Sequence, residues 1–246
     1  MYRVIGFLCL LLLAACSSKT TEPTEQAQAA TYFQEGEVAF ENGLYQDAIA
    51  SWEKVRDTYF SPELNALAEL KIAEAQFLAE NYLEASVAYE EFLKNHPDHA
   101  RSADILYQLG IAYIKQMRNY DQDQTATRSA LTTFGMLKDR FPDDPRNEEA
   151  SIYIAYGMDQ LAAHELIIAK FYLKTGYYSA AIGRLEGIFR QYPDFNKKDE
   201  AYFALGQAYF KNGDRDKATE VFERLFKEFA GSEQSDEARK FLDKNS

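Results

Sequence analysis

Two stretches far apart in the chain, NGLYQDAIASWEKV at residues 42–55 and NGDRDKATEVFERL at 212–225, carry glycine, alanine and a large aromatic at matching places. A frame of about 34 residues laid on the second stretch picks out Gly206, Tyr209, Gly213, Ala218 and Phe222; laid on the first it picks out Gly36, Gly43, Ala48 and Trp52. The frame also fits between them. Ala73, Ala85, Tyr89 and Pro97 make a second unit. Leu109, Gly110, Tyr113, Ala130, Phe134 and Pro142 make a third, with eight surplus residues from Met117 to Gln124 inside it. Ala169, Tyr172, Gly176, Ala181, Leu185 and Pro193 make a fourth. Three positions depart from the pattern: Glu69 and Ala39 stand where aromatics are expected, and Ala230 stands where the last unit should have proline.

Apolar residues recur at spacings of three and four throughout, and the chain has only six prolines, so each unit reads as a pair of helices. From Asn147 to Lys174 no proline intervenes, which predicts one helix of roughly 40 Å at 1.5 Å per residue, bracing the third unit against the fourth. A lone helical pair cannot bury its apolar stripe, so the pairs must stack. The units resemble tetratricopeptide repeats, in which small residues let two antiparallel helices approach closely. The expected fold is therefore all-α, a superhelical α-α solenoid of five helical hairpins, with function on its concave face.

The opening residues have a different logic. Arg3 precedes an apolar run from Val4 to Ala15, too short for the ~20 residues that span a bilayer, which reads as a secretory signal peptide over residues 1–15. Leu13-Ala14-Ala15-Cys16 resembles the bacterial lipobox. That resemblance implies cleavage before Cys16 and a covalent lipid on its sulfur, with Ser17 matching the outer-membrane sorting choice. Residues 16–30, polar and poor in bulky groups, are expected to be a lipidated flexible tether. Cys9 would leave with the leader and Cys16 would carry lipid, so no thiol remains for a disulfide, zinc or catalysis. Residues 31–144 then hold repeats one to three, and residues 145–246 the long linking helix with repeats four and five.

The formal charge is -12, or -13 once Arg3 is removed, which disfavours nucleic acid and electrostatic adhesion to anionic lipid. Candidate chemistry is sparse. His96-Pro97-Asp98-His99 offers two imidazoles at an inter-repeat turn without further ligands; Asp121-Gln122-Asp123 lacks the glycine and glutamate of a calcium loop; His164 sits on a helix face. No catalytic residue, metal or cofactor is expected beyond the lipid on Cys16. Tyr107, Tyr153 and Tyr178 are candidates to line the concave groove. Gly183 and Gly187, four apart, permit close approach of a helix or a second chain, and Arg184 between them can grip a carboxylate with paired hydrogen bonds.

Two longer stretches are more specific. NYDQDQTATRSALTTFGMLKDRFPDD, residues 119–144, and AKFYLKTGYYSAAIGRLEGIFRQYPD, residues 169–194, resemble the BamD family of outer-membrane β-barrel assembly lipoproteins. The first carries the Asp-x-Asp and Thr-x-x-Arg-x-Ala elements of the family's third-repeat insertion, the second its Arg-x-Glu-Gly segment. The resemblance implies a non-enzymatic subunit at the periplasmic face of the outer membrane. Its C-terminal repeats would bind the POTRA domains of BamA, and its N-terminal repeats would form a groove for unfolded barrel precursors or other Bam lipoproteins. Arg184 falls on the arginine that meets a BamA carboxylate; Glu186, Asp121, Asp123 and Arg128 are carried over as further partner-binding residues. The alternative is a CpoB-like periplasmic adaptor of the Tol-Pal system, which would carry a coiled coil, fewer repeats and no anchor.

Overall fold

The computed structural model describes residues 24–58 and 61–245. The signal peptide, Cys16 and the first part of the expected tether lie outside the described residues. Ten helices pair in order: α1 (Glu25–Glu41) with α2 (Tyr45–Thr58), α3 (Pro62–Leu78) with α4 (Tyr82–Asn95), α5 (Ser102–Gln116) with α6 (Thr125–Arg140), α7 (Asn147–Thr175) with α8 (Tyr178–Gln191), and α9 (Lys198–Asn212) with α10 (Arg215–Glu228). An eleventh helix, α11 (Glu233–Asn245), packs on α9 and α10. Apart from a contact of α7 with α9, each helix otherwise rests on its chain neighbours, the contact pattern of a solenoid. The fold is all-α, a tetratricopeptide-type stack of five hairpins with α11 closing its C-terminal end. Because α1 starts at Glu25, with the Thr24 hydroxyl accepting from the Ala27 amide at 3.3 Å, residues 25–30 are helical where the sequence suggested tether.

The small residues of the repeat act as expected. Within each hairpin a small residue of the first helix faces a large residue of the second: Gly36 faces Trp52, Gly110 faces Phe134 and Gly206 faces Phe222. A Cβ on Gly110 or Gly206 would lie 2.5 Å from the partner ring, so only glycine permits this approach. Ala48, Ala85, Ala130, Ala181 and Ala218 are all buried at the same offset on the second helices. Except in the third hairpin, whose turn is the inserted segment, the turn inside each hairpin uses a residue in the left-handed region. Gly43, Gly176 and Gly213 supply it with φ of 73°, 84° and 95°, whereas in the second unit Glu80 takes φ 61° against its side-chain preference.

The unit ends also explain the departures. The second helices stop at His96, Phe141 and Tyr192, each followed by proline, and α10 stops the same way at Phe229 although Ala230 follows. There the Ser235 hydroxyl donates to the Phe229 carbonyl at 2.7 Å, fixing the entry to α11. Glu69 is not aromatic because it meets the His96 ring nitrogen at 3.0 Å.

Helix α7 spans about 43 Å at 1.5 Å per residue over its 29 residues, and it serves two hairpins in succession. Ala150, Tyr153 and Ile154 in its first half pack with Phe134 and Leu137 of α6. Ala162, Leu166, Ala169 and Leu173 in its second half pack with Ala181, Leu185 and Ile188 of α8. Its end is set by Gly176, whose left-handed backbone donates to the Tyr172 carbonyl. The second array of hairpins is thereby stepped along α7 relative to the first. The midpoint of α7 faces the start of α6 on one side and the end of α8 on the other.

Candidate partner-binding site

That midpoint is where the candidate residues gather. The inserted segment before α6 is folded by its own polar groups: the buried Gln124 side chain donates to the Asn119 and Gln122 carbonyls at 2.8 and 3.2 Å. Asp123 accepts from the Thr125 amide at 3.0 Å and from its hydroxyl at 3.2 Å, and these bonds hold its carboxyl below the usual range. Asp121 is exposed in the turn. The segment is tied to α7 by the His164 ring, whose Nδ1 donates to the Tyr120 carbonyl at 2.6 Å, and to the start of α9 by Lys197 over the Tyr120 ring at 5.5 Å. Asp159 adds a second tie, accepting from the amide and side chain of Asn196 at 2.9 and 2.6 Å.

Arg184 projects from α8 back to α7, where its Nη1 meets Glu165 Oε2 at 2.7 Å. The guanidinium side chain keeps 44% of its surface exposed while Glu165 keeps 22%, so one face of the cation is engaged and the other is open. The Glu165 hydrogen bond raises the Arg184 pKa, and the cation is permanent in any case. Burial raises the pKa of the Tyr192 phenol at the end of α8; Glu165 adds to the rise and Arg128 of α6 opposes it. The junction therefore holds the Arg184–Glu165 pair, with Asp121 and Asp123 in the segment tied to the neighbouring His164.

Glu186 is turned elsewhere. It accepts a short hydrogen bond from the Tyr209 hydroxyl on α9, the counterpart of a short bond from Tyr113 on α5 to Glu90 on α4. Burial, then the Glu186 bond, pushes the Tyr209 phenol up to about 12. The repeat thus makes one tyrosine–glutamate clasp twice across unit boundaries. Gly183 and Gly187 differ: Gly183 is exposed and a Cβ there meets no atom within 4 Å, whereas Gly187 is buried and a Cβ there would make ordinary contact with the Gln191 side chain at 3.8 Å. Among the described residues, nothing fills the space over Gly183, the residue before Arg184.

Of the candidate tyrosines, Tyr107 and Tyr153 pack on Phe134 and Tyr178 joins the C-terminal core, so all three are largely structural. The exposed rings are others. Ile152, Tyr156, Ile167 and Phe171 share a strip of α7, and Tyr177 follows it. Their helical spacing alone groups the four on one face. A charge network was also missed: Arg101 bridges Glu74 and Asp104 at 2.7 and 2.6 Å, and Arg146 bridges Asp104 and Asp144 at 2.7 Å each, joining α3, α5 and the entry to α7. His96 and His99 both lie against Phe92, the Arg101 amide donates to His99, and no three His, Cys, Asp or Glu among the described residues are placed to hold a metal. Nor is any described helix long and apolar enough to cross a membrane.

Outer membrane protein assembly factor BamD of Haemophilus influenzae is 29% identical over 225 residues, 86% of either chain. The BamD of Rickettsia prowazekii is 29% identical over 208 residues, 85% of this chain and 83% of that one. Among solved structures, the TPR2AB domain of yeast Sti1 aligns at 11% identity over 88% of this chain and 85% of that one, with a TM-score of 0.43. The family described as YfiO, outer membrane lipoprotein, matches residues 25–225, from the first residue of α1 into α10, and the chain belongs to that family.

Proposed function

We propose that this protein is a non-catalytic scaffold of the outer-membrane β-barrel assembly machinery, held to the periplasmic face of the outer membrane by lipid on Cys16. It binds the POTRA domains of BamA and assists insertion of barrel proteins. The family match and the names of its relatives support the assembly role. One observation carries the partner reading: Arg184 is held by Glu165 while 44% of its side chain stays exposed, beside Gly183, over which none of the described residues lies. A cation fixed in advance loses little rotamer freedom when a partner carboxylate adds to it. The work is recognition: α7 sets two arrays of hairpins at one offset, and the junction presents charge to a partner without making or breaking a bond.

Affinity capture of the protein from solubilised envelopes is expected to retrieve BamA. Arg184→Glu is expected to abolish recovery while the circular-dichroism melt stays in place. Loss of one member of a hydrogen-bonded interface ion pair costs about 2–5 kcal/mol, roughly thirtyfold or more in affinity. Recovery of Tol-Pal components instead would replace this reading with that of a CpoB-like adaptor. Labelling with a fatty-acid analogue tests Cys16 independently: Cys16→Ala should lose the label and release the protein from the membrane fraction.

A further inference from the structure

Helix α7 is longer than one hairpin can cover. Its 29 residues face an α8 of 14, so each array packs on only half of it and two flanks are left over. One lies beside the second half, on the side where α6 packs the first. Gly157 rests on Leu131 of α6, and His164, two turns further along the same stripe, meets the inserted segment at the Tyr120 carbonyl. The inserted segment therefore covers that flank. The other lies beside the first half, on the side where α8 packs the second. Ala155 and Met158 precede Ala162 at spacings of seven and four, on the stripe that α8 buries further along.

There the wall is open. A trough of about 360 Å³ runs along Ile154, Ala155 and Met158 and ends against Tyr192, Pro193 and Phe195, in the turn that follows α8. Met158 keeps 41% of its surface exposed, and Ala155 and Pro193 are exposed too. Polar groups on the wall are already engaged. The Ser151 hydroxyl accepts from Lys138 Nζ and donates to the Asn147 carbonyl, each at 2.7 Å, and both oxygens of Asp159 are bonded to Asn196. The rim is acidic. Glu148, one turn before Ser151 on the same stripe, and Asp194 in the turn are exposed, with no ion-pair partner among the described residues. Asp144 and Glu165, by contrast, are paired with Arg146 and Arg184.

We infer that this flank of α7 is a docking site for an amphipathic helix of a partner protein, apolar along one face and carrying lysine or arginine at its edges. The helix takes the place that a second helix of the repeat would hold beside the first half of α7, in line with α8. Its apolar side chains enter the trough over Ala155 and Met158. Its cations reach Glu148 at one end and, about 15 Å or three turns away, Asp194 beside Met158 at the other. A helix satisfies its own backbone, which suits a wall whose polar groups are engaged; an extended segment would bring amides and carbonyls that Ser151 and Asp159 cannot answer. The acidic rim selects basic over acidic helices, while the trough supplies the area that holds the bound state. Neither Arg184 nor the inserted segment is part of this site, so it does not rest on the reading of that residue.

The test is fluorescence anisotropy on the purified full chain with a fluorescein-labelled peptide of about four helical turns, leucine on one face and lysine on the other. Two companions are compared with it. One has glutamate for lysine; the other has the same composition with leucine and lysine strictly alternating, a pattern that gives a helix no apolar face. The first peptide is expected to bind most tightly and to weaken with added salt. Ala155→Arg, which fills the trough and adds like charge, and Asp194→Lys are each expected to weaken it by about tenfold. Both positions are exposed, and an unchanged circular-dichroism melt shows that the fold is intact. Glu41→Lys, an equal change of charge on α1, should leave binding unaltered. Equal binding of the three peptides, insensitivity to both trough variants, or an equal loss with Glu41→Lys would each overturn the proposal. So would a dimer in sedimentation that Ala155→Arg dissolves, since a second copy would then be the occupant.

Discussion

Replacing Gly110 by Ala sets helix propensity against packing, and the structure decides the sign. Alanine is better than glycine in a helix interior by roughly 1 kcal/mol. The new Cβ, however, would lie 2.5 Å from Phe134 Cε1 and 2.6 Å from Cζ, where carbons normally sit about 3.5–4.0 Å apart. The ring has nowhere to retreat: it is fully buried, stacked on Tyr153 at 5.4 Å with 9° between planes, and tilted against Tyr107 at 6.2 Å. Overpacking typically costs about 1–3 kcal/mol, and an overlap of about 1 Å against a pinned ring belongs at the upper end. The net expectation is a loss of about 2 kcal/mol. Gly183→Ala meets nothing within 4 Å, keeps the whole propensity gain, and should stabilise by roughly 1 kcal/mol. Urea unfolding of both variants beside the parent measures the difference, read from midpoints at unchanged slope. Equal stability of Gly110→Ala and the parent would refute the claim that glycine sets the distance between α5 and α6.

Glu80→Gly should stabilise by about 1 kcal/mol, because it removes a side chain from the left-handed turn that glycine fills in three other units; thermal melts check this. The Tyr209 phenol, raised to about 12 against an unfolded value of ~10, favours the folded state fully below ~10, and that contribution is lost as pH rises through about 12. Tyr209→Phe should therefore flatten the alkaline limb of the stability curve and delete one late-titrating phenol from the absorbance profile. Asp144 is held below its ordinary value by the Arg146 hydrogen bonds, so its contribution is present above ~3.9 and is lost as pH falls through the lower folded value. Arg146→Gln should shift acid unfolding to higher pH. His164→Ala removes the tie to the Tyr120 carbonyl and should speed amide exchange across residues 119–124 with little change in melting temperature.

The repeat frame was legible because it is a packing rule written in residue size: glycine or alanine on one helix, a large side chain or alanine at fixed offsets on the next. Periodicity gave α7 its length because no proline interrupts it. What escaped was pairing between distant residues. Nothing in the sequence near Glu186 marks its use by Tyr209, and nothing near Arg101 or Arg146 marks the carboxylates of α3 and α5. Those bonds join units that are neighbours only after stacking. The extent of α1 was misjudged for a different reason: residues 25–30 are polar and small, yet a threonine cap and the contact of buried Ala29 are enough to extend the helix. Arg184 was singled out from residue type and resemblance, but its open face follows only from the geometry of Glu165.

The insertion of residues 117–124 and the length of α7 are two parts of one device. In the other hairpins a turn of a few residues joins the helices, and the first helix is 15 to 17 residues long. Were α7 that length, α8 would lie level with α6, and Tyr192 at the end of α8 would be far from the start of α6. Doubling α7 moves α8 along by one helix and brings that end to the midpoint, leaving a step that stacking alone does not fill. The inserted segment fills it, fastened by His164 on α7 and Lys197 at the start of α9. Only with the step in place does the Arg184–Glu165 pair of the second array lie beside the inserted segment of the first, which is fastened to the adjacent His164. The partner surface is therefore a product of the irregularity in the repeat, and shortening α7 by whole turns should erase it while each array keeps its own core.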